Sequence, residues 1–217
     1  MKTTLHDTQG RAGFTLVESL IAVSFLVVMF MAVAQVSSRA SDAFDEGSAE
    51  HALSTGTHRG LERLTHALDF ANGTLQADVP AAPAETDAVT FQTPASFEGG
   101  AVQWTIVDIF VELDTGELDD GLDNDGDDLV DERRVVQVEN QGTPEERRIV
   151  LASGVAELFE GELANAADDN GNGLIDEAGL SFSREGDVVF VRLTCQRRDE
   201  GGRLLVKTAE TAVRPYN

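Results

Sequence analysis

Residues Phe14 to Val36 form an apolar stretch interrupted by one charge, Glu18. As a helix rising about 1.5 Å per residue, this run would be roughly 35 Å long, enough to cross the hydrocarbon layer of a membrane. Lys2 and Arg11 precede it, and Asp42, Asp45 and Glu46 follow. The basic flank is therefore expected to stay in the cytoplasm, with the rest of the chain beyond a single membrane crossing. A carboxylate at the start of such a segment costs roughly 2–3 kcal/mol or more, so it calls for a use. A plain anchor has none. A cleaved secretory signal has none either, although Ala32-Val33-Ala34 supplies a small-residue cleavage site behind the apolar run.

The octapeptide Gly13-Phe14-Thr15-Leu16-Val17-Glu18-Ser19-Leu20 stands behind a short basic leader and resembles the processing motif of type IV pilin-like proteins. The resemblance covers about the first 35 residues. It implies that residues 1–13 are a leader, that prepilin peptidase cuts between Gly13 and Phe14, and that the Phe14 amine is methylated. It also gives Glu18 a use: in such filaments this acid pairs with the N-terminal amine of a neighbouring subunit, which offsets the burial of both charges. Many major pilins kink this helix with a proline, whereas here no proline precedes Pro80. No proline kink is expected, and the chain leans toward a minor subunit.

Beyond the membrane half (14–36), Leu53, Thr57, Leu61, Leu64 and Leu68 recur at three- and four-residue spacing. The spacing predicts an outer amphipathic half of the same helix over 37–73, stopping near Asn72-Gly73 and weakened at Gly47, Gly56 and Gly60. His51, His58 and His66 lie near one face of it, too far apart along the axis to favour a shared metal. Residues 74–88 read as a surface linker. Strands are expected at Val89–Phe91, Ala101–Leu113, Arg133–Glu139, Arg148–Ala152, Leu180–Phe182, Val188–Gln196 and Arg203–Val213, with a bend or bulge near Val107-Asp108. Trp104 is expected in the core with Val102 and Ile106, and Cys195 as a small core residue. The class is α+β: a long N-terminal helix packed on an antiparallel meander in a β-rich domain over 74–217, an order similar to pilins and pseudopilins. The stretch Ile149–Val155 followed by a late hairpin is similar, on element order and length, to the pseudopilin J group of type II secretion.

The formal net charge is −23, which excludes a nucleic-acid partner bound through phosphates. Residues 112–132 carry 11 acids and no base, and residues 157–177 carry 7 acids and no base, leaving 21 acids against 16 bases elsewhere. Within these segments GELDDGLDNDGDDLVDE (116–132) and GELANAADDNGNGLIDE (161–177) match at 8 of 17 positions at a constant offset of 45. Asp123, Asp125, Asp127 and Asp131 occupy loop positions one, three, five and nine, with the Leu129 carbonyl at seven, Val130 as an apolar plug at eight and Glu132 at ten. The second copy holds Asp168, Asn170, Asn172 and Asp176, with Leu174, Ile175 and Glu177. Alternating carboxylate and amide oxygens around glycine turns suit a hard cation, calcium above all. The pattern resembles calcium loops of the EF-hand, dockerin and thrombospondin type 3 kinds, which place a bidentate glutamate at position twelve in the EF-hand case. Arg134 and Gly179 stand there instead, so weak structural sites near 10⁻⁴–10⁻³ M are expected.

No nucleophile elbow, zinc-protease helix or phosphate-binding glycine loop is present, so no catalytic role is expected. The expectation is a minor pilin or pseudopilin subunit that assembles into, or primes, a type II secretion pseudopilus or type IV pilus-like filament. The resemblance implies other pilin-like subunits, prepilin peptidase and the inner-membrane assembly platform as partners. The rival reading is an anchored or secreted calcium-binding adhesion module outside any filament.

Overall fold

The computed structural model describes residues 15–72, 74–171 and 173–215. The expected processing pair Gly13-Phe14, the leader before it, the helix-stop residue Gly73 and the loop residue Asn172 lie outside the described residues. The chain divides into two compact units, the first ending at Asp45 and the second running from Glu46 to the C-terminus.

The first unit is helical from Leu16, where helix α1 (Leu16–Asp69) begins. Its apolar side chains, among them Leu16, Leu20, Phe25, Met29 and Phe30, are exposed on every side of the helix, as is Glu18. Between Leu16 and Val36 the polar residues Glu18, Ser19, Ser24 and Gln35 form no continuous stripe. A helix apolar all round is stable only inside a lipid or protein environment. Length and composition make it the one candidate membrane span among the described residues.

The second unit is an α+β domain. The part of α1 within it buries Leu53, Thr57, Gly60, Leu61, Leu64 and Leu68, the stripe expected from spacing. Strands β1 (Val89–Glu98), β2 (Ala101–Leu113), β3 (Arg133–Glu139), β4 (Arg147–Val155), β5 (Leu180–Glu185), β6 (Val188–Arg198) and β7 (Leu204–Val213) form one antiparallel sheet. The helical leucines share a core with Phe91, Val107, Ile109, Val135, Leu151, Val155, Leu193 and Cys195. Cys195 is buried as expected, and burial pushes its thiol up to about 11. The Thr57 hydroxyl satisfies itself in this core by donating to the Leu53 carbonyl at 2.9 Å.

One connection leaves the simple up-and-down order. β7 pairs with β6 from Val189 to Arg198, while β5 and β4 share the other edge end to end: Leu180 faces Leu193 and Val155 faces Cys195. Where the two strand ends meet, a Cβ on Gly179 would lie 1.9 Å from the Ala156 carbonyl oxygen, so only glycine fits. The chain between β4 and β5 is thrown outward as the second acidic loop.

Several expectations need correction. Residues 74–88 are not a surface linker. They hold the short helix α2 (Thr74–Asp78), bury Leu75 and Val79, and reach β5 through bridges Ala81–Arg184 and Thr86–Phe182. β1 is ten residues long rather than three. The irregularity expected near Val107-Asp108 lies in its partner, between Pro94 and Ser96. Val102, Trp104 and Ile106 do share a face, but it is the outer one, and Trp104 is 48% exposed. Alternation reveals which side chains share a face; the helix decides which face is covered, and it covers Val107 and Ile109.

Gly56 and Gly60 do not interrupt α1. Gly60 is instead a contact point: a Cβ there would stand 2.8 Å from the Ala152 Cβ and 3.0 Å from Leu193 Cδ2, whereas one on Gly56 meets nothing within 4 Å. Glycine costs a helix about 1 kcal/mol relative to alanine. Gly56→Ala is therefore expected to stabilise the second unit by up to about 1 kcal/mol, while Gly60→Ala overpacks the helix–sheet seam and destabilises it by about 1–3 kcal/mol. Thermal melts of the two detergent-solubilised variants check the opposite signs.

Candidate functional site

The two acidic segments are insertions at the same kind of place. Residues 114–132 fill the β2–β3 hairpin, and residues 159–177 fill the excursion between β4 and β5. Equivalent backbone bonds close them: the Asp114 N–H donates to the Glu132 carbonyl at 2.9 Å, and the Phe159 N–H to the Glu177 carbonyl at 2.8 Å.

Inside, each loop is organised by a buried glutamate. Glu117 accepts the N–H groups of Asn124 and Asp125 on Oε1, both at 2.9 Å, and that of Asp131 on Oε2 at 3.2 Å. Glu162 does the same for Asn170 at 3.1 Å and Asp176 at 3.3 Å. Asp123 accepts the N–H of Gly126 and Asp128, and Asp168 accepts those of Gly171 and Gly173. Asp131 caps the turn at Gly121 and Asp176 the turn at Ala166, again with matching bonds. Both Asp131 and Asp176 have positive φ, at 49° and 50°. The sequence repeat is thus a structural repeat.

The expected ligands divide into three groups. Asp123, Asp125 and Asp127 bring carboxylate oxygens within 4.8 Å of one another, and so do Glu117, Asp125 and Glu132. Asp131, Asp168 and Asp176 serve backbone N–H groups as described. Asp127 accepts the Leu129 N–H at 2.9 Å. Leu129, rather than Val130, is the buried apolar residue of the first loop; Val130 and Ile175 are exposed, because the side chain at position seven turns inward. Leu174 is half-buried. Position twelve belongs to the sheet in both copies. Arg134, in β3, bonds Glu112 at 2.7 Å, and Gly179 lies against the Ala156 backbone.

Glu117 and Glu162 were missing from the expected ligand set, although both lie in the identical GEL triplet that opens each repeat. Motif positions counted from Asp123 or Asp168 leave them outside the loop. His58 and His66 make local contacts, with the Ser54 carbonyl at 2.8 Å and the Phe70 ring at 5.5 Å, and no histidine joins a ligand cluster among the described residues.

The electrostatics single out the first loop's interior. Glu132 is 2% exposed and its Oε2 is without a hydrogen-bond partner. Burial pushes its carboxyl up to about 7, and the charges of Asp127, Glu117 and Asp125 add to that. Lost hydration raises Asp125 as well, with Asp127, Glu117 and Asp123 contributing. At the loop's foot the balance differs: burial alone would raise Glu112, but Arg134 and Arg148 outweigh it and hold the carboxyl low. Buried, converging carboxylate oxygens with an unmet acceptor fit a hard cation and no soft one.

No family model matches this sequence, and neither curated proteins nor solved structures give a match. The functional reading rests on the chain's own residues.

Replacing Glu117 with alanine leaves three backbone donors unmet. At about 1 kcal/mol for each net hydrogen bond, the first loop is expected to open while the sheet survives. Hydrogen exchange should then lose protection at Asn124, Asp125 and Asp131 first, with little change in β6 and β7.

Proposed function

We propose that this chain is a minor pilin-like subunit of a type II secretion pseudopilus or related type IV filament, held by one inner-membrane helix with the β-rich domain outside. The observation that carries the reading is Glu18, the one charged residue in the apolar run Phe14–Val36 that opens α1, four residues beyond Phe14. A carboxylate in that position is costly in lipid and gains a counter-ion when the free amine of another processed subunit meets it. The rest of α1 supports the reading, because its later turns carry the leucine stripe on which the sheet is built. The acidic loops act structurally, calcium holding together insertions whose carboxylates otherwise repel. Calcium outside the cytoplasm reaches the millimolar range such loops need. Its partners are other pilin-like subunits, the prepilin peptidase and the assembly platform, and it performs no chemistry of its own.

Mass spectrometry of the protein purified from membranes should show a mature N-terminus at N-methyl-Phe14. A chain that retains Met1, or that begins at Gln35 behind the alternative cleavage site, overturns the proposal. Glu18→Ala is expected to leave cleavage intact and to reduce incorporation into sheared filaments or cross-linked oligomers by about tenfold or more, the loss of a buried ion pair being worth at least about 1.4 kcal/mol. Normal assembly of Glu18→Ala removes the ion-pair role.

A further inference from the structure

The two loops share a backbone but not an interior. In the first, Glu117, Asp125 and Glu132 converge within 4.8 Å. Glu132 is 98% buried (2% exposed), with one oxygen lacking any partner. No basic side chain forms an ion pair with Glu132 among the described residues; the guanidiniums nearest in sequence, Arg133 and Arg134, pair with Glu157 and with Glu112 and Asp114. In the second loop the residue equivalent to Asp125 is Asn170, whose amide donates to Glu177 Oε2 at 3.1 Å. Glu177, the equivalent of Glu132, also takes Arg192 on Oε1 at 3.0 Å. Arg192 is held there from several sides, 4.7 Å over the Phe159 ring and 3.2 Å from Glu85. The second loop therefore receives a positive charge from β6 at the place where the first receives none.

We infer that only the first loop is a cation site: Glu117, Asp125 and Glu132 hold one divalent cation of calcium's kind, and in the second loop the Arg192 guanidinium with the Asn170 amide stands in that cation's place. The inference rests on the calcium part of the proposed function and narrows it from two sites to one. The physical ground is the cost of a buried, uncompensated carboxylate, which a protein meets with a paired cation or not at all. Calcium is favoured over magnesium because it accepts carboxylate oxygens in a flexible geometry, whereas magnesium demands a near-ideal octahedron and resists losing its water. Asp123 and Asp127 are exposed and stay on the rim, whereas Glu117 and Glu132 are buried.

The test is calcium titration of the full-length protein in detergent at physiological salt, by calorimetry and by thermal melts against chelator. Wild type should bind one equivalent and melt at a higher temperature with calcium. Glu132→Gln and Asp125→Asn should each weaken binding by about tenfold or more by removing ligand charge. Glu132→Gln should also melt no lower than wild type in chelator, because it removes an uncompensated buried charge, so its loss of binding cannot be ascribed to misfolding. Asp168→Asn in the second loop should leave affinity within about twofold. Two equivalents in wild type, tight binding retained by both first-loop variants, or binding lost in Asp168→Asn each overturn the one-site assignment while leaving a calcium role standing. If wild type shows neither binding nor a melting shift, the calcium role itself fails along with it.

Discussion

The seam between the outer turns of α1 and the sheet is the contact on which the domain depends. Leu61, Leu64 and Leu68 lie against Val107, Ile109, Leu151 and Leu193, with Gly60 allowing the helix backbone to approach Ala152. Apolar burial at about 25 cal/mol per Å² supplies the stabilisation here, since the chain has a single cysteine and only 6% aromatic residues. With the helix on one face of the sheet, both acidic loops leave from strand ends, the first from the β2–β3 hairpin and the second between β4 and β5.

That arrangement separates two electrostatic regimes within one chain. The core is closed by hydrocarbon and tolerates little charge. The loops concentrate carboxylates that no apolar packing can hold together, so backbone N–H groups bonded to Glu117, Asp123 and Asp131 do the holding. Such bonds compensate the acids lining the loop but leave the interior oxygen of Glu132 unmet. The second copy meets the same difficulty with Arg192, a residue of β6 brought in by strand pairing. The first loop is fastened from outside instead, where Arg198 near the β6–β7 turn donates to the Asp128 carbonyl. Two related loops thereby differ in how their buried acid is met: Glu177 has the Arg192 guanidinium, and for Glu132 we propose a cation.

Much of this was legible beforehand. Five of the seven strands begin at the residue where alternation placed them and the other two, β4 and β7, one residue away, because a period of two in half-buried strands is a strong signal. The helix stripe from Leu53 to Leu68 was legible for the same reason at a period near 3.6. The α2 segment was not: Leu75 and Val79 are isolated apolar residues in an alanine- and proline-rich stretch, and only the unfilled edge of the core gives them a place. Nor was the exposure of Trp104, since a strand pattern is symmetric until a helix chooses a side.

The division of labour at the loops has a physical cause. Local order alone determines the repeat, its spacing and the backbone turns, because Asp and Gly act on amides two to five residues away. The apolar, acid-headed first helix was likewise written in consecutive residues. What the two loops differ in, the company kept by Glu132 and Glu177, was decided by residues distant in the chain, above all Arg192. Ion pairing depends on distance in space, and only the folded sheet sets that distance.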